Sequence, residues 1–302
     1  MKRSRNLKYF GRIAVLVLAV WPPLTLVFAQ DEPPGAGNAA SQSMGPPESP
    51  AVAPRPSLAG EAVIRRFRLE ASGFDNMVSN GFGNWRGGGL SLSWTPSGRV
   101  ALFGTILSQS RPGETEQLSE LRTVVNWSKW FYTDMAVSGG GPEDPAAFFP
   151  RFRYDVAANL KVPLLPGLIF TGGLTRLYFG APNNLRIRRG GVIYYWRRFV
   201  FQSNAYFNNA RPGNRKSTSA NGAVQYGQEG HYWVGLGAGG GRQAWQTLTL
   251  TPQAVEFTGT NASVFLRKWL APSYGVAFSY NYTLIRTAYR INGLEMKFFL
   301  DF

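Results

Sequence analysis

The sequence contains no cysteine and a single histidine, His231. The first absence excludes disulfides, thiolate metal sites, cysteine nucleophiles and a lipid-modified N-terminal cysteine. The second leaves imidazole-based catalysis one position at which to occur. Charge is also scarce: 16% of the 302 residues are Asp, Glu, Lys or Arg, against roughly 25% in soluble domains. Mean hydropathy is only −0.16, too low for a bundle of membrane-spanning helices. What the chain has in abundance is glycine, at 35 residues, and aromatics, at 14%. An apolar outer wall around a polar interior, as in a membrane β-barrel, reconciles these numbers.

The formal charge is +15. Lys2, Arg3, Arg5, Lys8 and Arg12 open the chain, and subtracting those five leaves about +10. Nucleic-acid binding calls for a clustered basic stripe or a recognition motif. Neither is present, because Arg186, Arg188, Arg189, Arg197 and Arg198 are broken up by apolar residues. Acidic lipopolysaccharide or anionic glycans are the more natural partners for this charge.

Residues 1–29 read as a cleaved signal peptide: a basic start, an apolar run, then Val27, Phe28 and Ala29 before Gln30. A membrane anchor is the alternative, but Pro22 and Pro23 split the run. Residues 30–60 are rich in Pro, Gly, Ala and Ser. They bury too little apolar surface to offset backbone ordering and read as a disordered periplasmic linker. Residues 61–302 read as the barrel.

From Gly60 onward, segments of ten or more residues alternate with period two. Phe152, Tyr154, Val156, Ala158 and Leu160 oppose Arg153, Asp155, Asn159 and Lys161. Tyr274, Val276, Phe278, Tyr280 and Tyr282 oppose Gly275, Ala277, Ser279 and Asn281. Short connections are expected at 95–98, 127–131, 162–167, 196–199, 227–232 and 268–273. Longer ones are expected at 74–84, 109–117, 139–150, 179–185, 209–216 and 240–253, with a tight closing link near Arg286 and Thr287. The count predicts an all-β, antiparallel transmembrane barrel of about fourteen strands, twelve or sixteen also fitting the pattern. An even number puts both termini in the periplasm. Residues 185–191 break the alternation, which predicts a bulge or a segment above the membrane. A second change of parity is expected near Asn261.

Trp94, Trp127, Trp130, Trp196, Trp233 and Trp269 all lie beside the short connections. They are expected to form one interfacial girdle, where an indole satisfies both its ring and its N–H. A soluble sandwich has no reason to gather tryptophan at one end of its strands. The chain closes on INGLEMKFFLDF. Leu294, Met296, Phe298, Leu300 and Phe302 form one face, expected to meet lipid and to address the chain to the barrel assembly machinery. Charges of inward parity include Arg66, Arg68, Glu70, Glu120, Arg122, Asp134, Arg153, Asp155, Lys161, Glu295, Lys297 and Asp301. They are read in two ways, as an anion- or sugar-selective path or as a cross-strand salt-bridge lattice filling the barrel.

The opening strand with Trp85–Trp94, and the segments GLIFTGGLTRLYF at 167–179, GVIYYWRRFVFQSNAYFNNARPG at 191–213 and YRINGLEMKFFLDF at 289–302, resemble the YaiO family of outer-membrane β-barrels. The resemblance implies location and architecture rather than an activity. Some relatives carry helical repeats before the barrel, and some are encoded near polysaccharide-modifying enzymes. Proteins of polysaccharide synthesis or export are therefore implied as partners, although the Pro-rich segment stands here in place of the repeats.

No enzymatic constellation competes well. A lipid-modifying barrel pairs a serine with a histidine, and His231 is expected at the periplasmic end, away from outer-leaflet lipid. Glu114, Glu116 and Glu120 sit near one loop and Glu143 with Asp144 in another, where carboxylates are ordinarily solvated. The glycine runs at 87–89, 139–141 and 237–241 lack the helix and lysine of a phosphate loop. No loop is expected to fold inward as a constriction. The expected molecule is a monomeric, non-enzymatic barrel without metal or cofactor. Its role is in the envelope or in passage of a glycan or anionic solute, with a lipid-modifying enzyme or a surface receptor as alternatives.

Overall fold

The computed structural model describes residues 67–143, 147–243, 257–286 and 288–302. The expected signal peptide, the linker, Arg66, Asp144 and Thr287 lie outside the described residues. Fourteen strands follow one another: β1 (Phe67–Val78), β2 (Asn84–Ser97), β3 (Val100–Arg111), β4 (Glu114–Asn126), β5 (Phe131–Gly139), β6 (Phe152–Lys161), β7 (Leu168–Tyr178), β8 (Asn184–Trp196), β9 (Phe199–Arg211), β10 (Arg215–Gln228), β11 (Tyr232–Gln243), β12 (Phe257–Ala271), β13 (Tyr274–Ile285) and β14 (Tyr289–Asp301). Each pairs antiparallel with its neighbour in sequence, and β1 pairs with β14, so the sheet is a closed barrel. Closure removes the unpaired edges that an open sheet would expose to lipid. No helix among the described residues is long and apolar enough to cross a membrane.

The lower rim is defined here as the one where β1 begins and β14 ends. Six tight connections lie on it, at 98–99, 127–130, 162–167, 197–198, 229–231 and 272–273, where the sequence places them. The upper rim differs from expectation. Residues 109–117 and 209–216 are not long loops: β3 and β4 turn at 112–113, and β9 and β10 at 212–214. Gly113 and Gly213, with φ of 88° and 85°, adopt the left-handed geometry these turns need. The apolar signal ends before the hydrogen-bonded ladder does, because outward residues such as Ser110 and Thr115 no longer sit on the apolar wall.

Parity is continuous along β8, with no register shift against β7 or β9. The expected bulge at 185–191 is therefore absent. Instead the polarity of the two faces is exchanged: Leu185 and Ile187 point inward to Leu177, Phe179 and Ala210, and Arg186 and Arg188 point out. Likewise the described part of β12 keeps one parity through Asn261.

The lumen is not uniformly polar. Near the lower rim, Val124, Tyr132, Ile169, Val200, Trp233 and Phe299 belong to a buried apolar belt drawn from strands all around the barrel. Burying each such side chain contributes about 1.5–3 kcal/mol relative to exposure. A second cluster at the upper rim joins Val78, Trp85, Ile285, Tyr289 and Ile291. The belt needs glycine opposite its rings. A Cβ on Gly275 would lie 2.4 Å from the Phe299 ring, and one on Gly235 would lie 2.1 Å from the Phe265 ring. Each aromatic ring covers the glycine directly across from it on the neighbouring strand.

Candidate functional site: the charged lumen

At the base of the lumen, β1 and β14 meet through one ionic node. Arg68 Nε donates to Asp301 Oδ1 at 2.5 Å and its Nη2 donates to Asp301 Oδ2 at 3.1 Å and to Glu229 Oε1 at 2.8 Å. Trp269 Nε1 donates to the same Asp301 at 3.0 Å. The Arg68 guanidinium also lies 5.2 Å from the centre of Phe299, whose other neighbour is Arg267 at 4.9 Å. Arg267 in turn reaches Glu70 at 2.8 Å. The two residues belong to β12 and β1, so Arg267 spans β13 and β14. It can do so because β13 presents only Gly275 and Ala277 at that height.

On β4 and β5, Arg122 binds Asp134 through two donors at 2.8 and 2.6 Å. Arg153 donates to Asp155 at 2.7 Å, and Asp155 also accepts from Thr175. Lys297 pairs with Glu295 at 3.1 Å, and Ser279 donates to that carboxylate. Glu120 is inward between Thr105 and Ser138. Most of the inward charges are thus matched with one another, as a low local dielectric favours. Two cations stand apart. Lys161 lies over the Tyr132 ring at 5.4 Å, and Arg189 lies beside Gly173 on the inner face. Among the described residues neither is ion-paired with a carboxylate.

Between these charged walls runs a neutral one. Asn204 donates to Asn221 at 3.2 Å, Asn221 donates to Tyr206 Oη at 3.3 Å, and Asn208 donates to Ser217 at 3.2 Å. Beyond them β11 presents Gly237 and Gly239 inward. This wall of amides, hydroxyls and bare backbone was not nominated from sequence, although inward parity on β9–β11 was available to find it.

The upper mouth is also more occupied than the sequence suggests. Phe148 and Phe149 donate their backbone N–H groups to the Glu116 carboxylate at 3.1 and 2.7 Å. The Phe148 ring lies 3.9 Å from the Arg111 guanidinium, whose other face covers Trp85 at 4.2 Å. Residues 147–149 therefore turn inward against β2–β4, contrary to the expectation that no loop does so. An inward carboxylate at the rim supplies the acceptor that two backbone amides need.

The tryptophans divide. Trp94 stacks outside on Phe67 at 5.8 Å, and Trp196 on Phe199 at 5.9 Å. Trp127 and Trp130 are exposed on one lower turn. Trp233 and Trp269 are not on the outer wall: both are buried in the apolar belt. Inside, each finds an acceptor for its indole N–H, Glu229 for Trp233 at 3.2 Å and Asp301 for Trp269. On β14, Leu294, Met296 and Phe298 are exposed outward and Leu300 is half-buried with them; Phe302, just past the strand, is exposed.

Among the described residues, the histidine and carboxylates considered for catalysis lie apart and are engaged elsewhere. His231 is exposed on a lower turn, its backbone bonded to Gln228 and Trp269. Glu143 pairs with Arg151 at 2.5 Å, and Glu116 is occupied by the two amides. Among the described residues, no three metal-ligating side chains converge.

Among solved structures, the barrel is similar to a bacterial polysaccharide outer membrane secretin, with 8% identity, 80% of this chain and 100% of that one covered, and a TM-score of 0.53. It is also similar to the CymD monoaromatic hydrocarbon channel, with 10% identity, 79% and 89% covered, and a TM-score of 0.50. An outer-membrane channel from Pseudomonas putida F1 gives 11% identity, 81% and 99% covered, and a TM-score of 0.47. These likenesses are of fold. No curated protein matches the chain. The model of the YaiO membrane beta barrel domain matches residues 67–246, which span β1 to β11, and the last three strands complete the same closed sheet. On that match the chain belongs to the YaiO membrane β-barrel family and is an outer-membrane barrel of fourteen strands.

Proposed function

We propose that the barrel is a non-enzymatic conduit for a glycan or anionic solute, standing with its lower rim and both termini in the periplasm. The observation that carries this reading is the inward wall of Asn204, Asn221, Tyr206, Asn208 and Ser217 at mid-height. A barrel built only for rigidity gains more from apolar filling there, whereas amides and hydroxyls beside glycine suit hydroxyl-rich solutes. Lys161 and Arg189 bias the same space toward anions. The name of one structural neighbour, a polysaccharide outer membrane secretin, is consistent with this class of solute. Leu294, Met296, Phe298, Leu300 and Phe302 address the chain to the assembly machinery. Lipopolysaccharide and proteins of polysaccharide export are its partners, and the barrel acts as a monomer.

The apolar belt and the folded-in Phe148 imply a lumen that is narrow at rest. In planar bilayers the folded protein is expected to show small, anion-selective conductance, several-fold larger in a variant combining Phe148→Ala with Ile193→Ala, Ile193 being a further member of the apolar belt. Absence of both conductance and sugar flux from the two proteins would rule out a conduit. That result would support a second reading, favoured by the ion-paired lumen, in which the barrel is a sealed structural element of the envelope.

A further inference from the structure

The outer face carries one group of charges that the lumen does not explain. Paired positions run in a single row across β6 to β10: Tyr154 opposite Arg176, Arg176 opposite Arg186, Arg186 opposite Asn209, and Asn209 opposite Lys216. All share the outward parity, one residue out of step with inward Leu177, Leu185 and Ala210. Arg188 follows two residues below Arg186 on the same face. Arg186, Arg188 and Lys216 are exposed. Arg176 is held against the wall by two hydrogen bonds, donating to Tyr154 Oη at 3.3 Å and Tyr178 Oη at 3.2 Å.

Side chains directly opposite on adjacent strands lie about 5 Å apart, and like charges so placed destabilise the sheet unless an anion lies between them. Among the described residues, none of these four cations is paired with a carboxylate. Elsewhere on the outer wall the need is met internally: Arg86 donates to Asp75 at 3.0 Å. The β7–β10 row therefore calls for an anion from outside the chain.

Its height indicates which anion. Arg186 lies ten residues above Trp196 on β8. At about 3.4 Å per residue and a tilt near 40°, that is roughly 26 Å, the thickness of the apolar band of such barrels. Trp196 then marks one interface and Arg186 the other, with the Arg188 stem long enough to carry its head up to the same level. Four strands spaced about 4.8 Å apart make the row roughly 14 Å wide, which suits a headgroup bearing several phosphates better than the single phosphate of a phospholipid.

The geometry points to a binding site for the phosphates of the outer-leaflet glycolipid, lipopolysaccharide. Arg176, Arg186, Arg188 and Lys216 are the phosphate ligands, and Tyr154 and Tyr178 hold Arg176 in place. The inward exchange of polarity beneath the row, Leu185 and Ile187 in place of charges, leaves Arg176, Arg186, Arg188 and Lys216 on the outer face at this height. This site rests on the orientation proposed above, with the upper rim outside.

The test uses the full-length folded barrel, purified in detergent and mixed with bisphosphorylated lipopolysaccharide, its dephosphorylated form, or phosphatidylglycerol. Retained lipid is counted by native mass spectrometry. Wild type is expected to retain the bisphosphorylated form at least fivefold better than either of the others. An R176Q/R186Q/R188Q/K216Q variant is expected to lose that preference, and the single Arg188→Gln variant to lose part of it. An R86Q control is expected to keep it, and unchanged heat-dependent gel mobility verifies folding in each. Equal retention by wild type and the quadruple variant overturns the site, as does equal retention of phosphatidylglycerol or full displacement by millimolar inorganic phosphate. Orientation is read separately from Glu114→Cys on the upper rim and Leu164→Cys on the lower, in a chain with no native cysteine. Labelling of Glu114→Cys on intact cells with an impermeant maleimide is expected. Labelling of Leu164→Cys instead overturns the orientation, and the site with it.

Discussion

The seam between β1 and β14 and the wall of β7–β10 treat arginine in opposite ways. At the seam, Arg68 donates through Nε and Nη2 to two carboxylates and lies against two aromatic rings. On the wall, Arg186 and Arg188 face outward with no carboxylate partner among the described residues. The difference follows from what each face can reach. A cation enclosed between rings and a buried carboxylate, as Arg68 is, would cost several kcal/mol if left unpaired, and there the fold supplies the partner. A cation at the lipid interface is within reach of phosphate, and building a carboxylate beside it would repel the same lipid. Seam arginines therefore report how the barrel closes, and wall arginines report what surrounds it.

The comparison breaks most severely at Asp301. An Asp301→Ala variant strips Arg68 and the Trp269 indole of their shared acceptor, and a loss of about 3–5 kcal/mol is expected. Urea unfolding followed by gel mobility would measure it; a midpoint equal to wild type would mean that the node does not hold the seam. Next is Phe299→Ala, which empties the space between Arg68 and Arg267. About 3–5 kcal/mol is again expected, read by the same assay, with the Glu70–Arg267 bridge weakened as well.

Gly275→Ala should cost about 1–3 kcal/mol through overpacking. The added Cβ would meet the Lys268 carbonyl oxygen at 2.2 Å as well as the Phe299 ring, and the backbone contact cannot swing away. Combining it with Phe299→Leu should recover only the ring's share. Smallest is Arg86→Gln, which removes an exposed pair with Asp75; less than about 1 kcal/mol is expected, shrinking further in high salt. A larger loss there would erase the contrast between seam and wall.

Much of the fold was legible because alternation is local. Phe152–Lys161 shows its two faces within ten residues, and all six lower turns could be placed from their residue types. Strand ends at the upper rim were less legible, since Ser110 and Thr115 continue the ladder without an apolar face to announce it. The inward charges were recovered by parity alone. Their partners were not: Arg68 and Asp301 stand at opposite ends of the barrel sequence, and Arg267 reaches Glu70 across two intervening strands. Arg186 and Arg188 were legible only as part of a short basic group within an irregular stretch, and the row they form with Arg176 and Lys216 depends on the register of three strand pairs.

The tryptophans separate the two kinds of information most clearly. Their clustering beside short turns is written in the chain and marks the lower rim. Which side of the wall each occupies depends on parity relative to strands elsewhere, and Trp233 and Trp269 turned inward to Glu229 and Asp301. By itself the sequence determined the class, an antiparallel barrel of about fourteen strands with twelve or sixteen also fitting, and the alternation of most strands, because period two needs no distant partner. Tertiary structure alone decided which charges meet, that the lower lumen is belted with aromatic rings, and that four cations from β7, β8 and β10 stand together outside. Those outcomes depend on register and closure, which join residues that no local pattern connects.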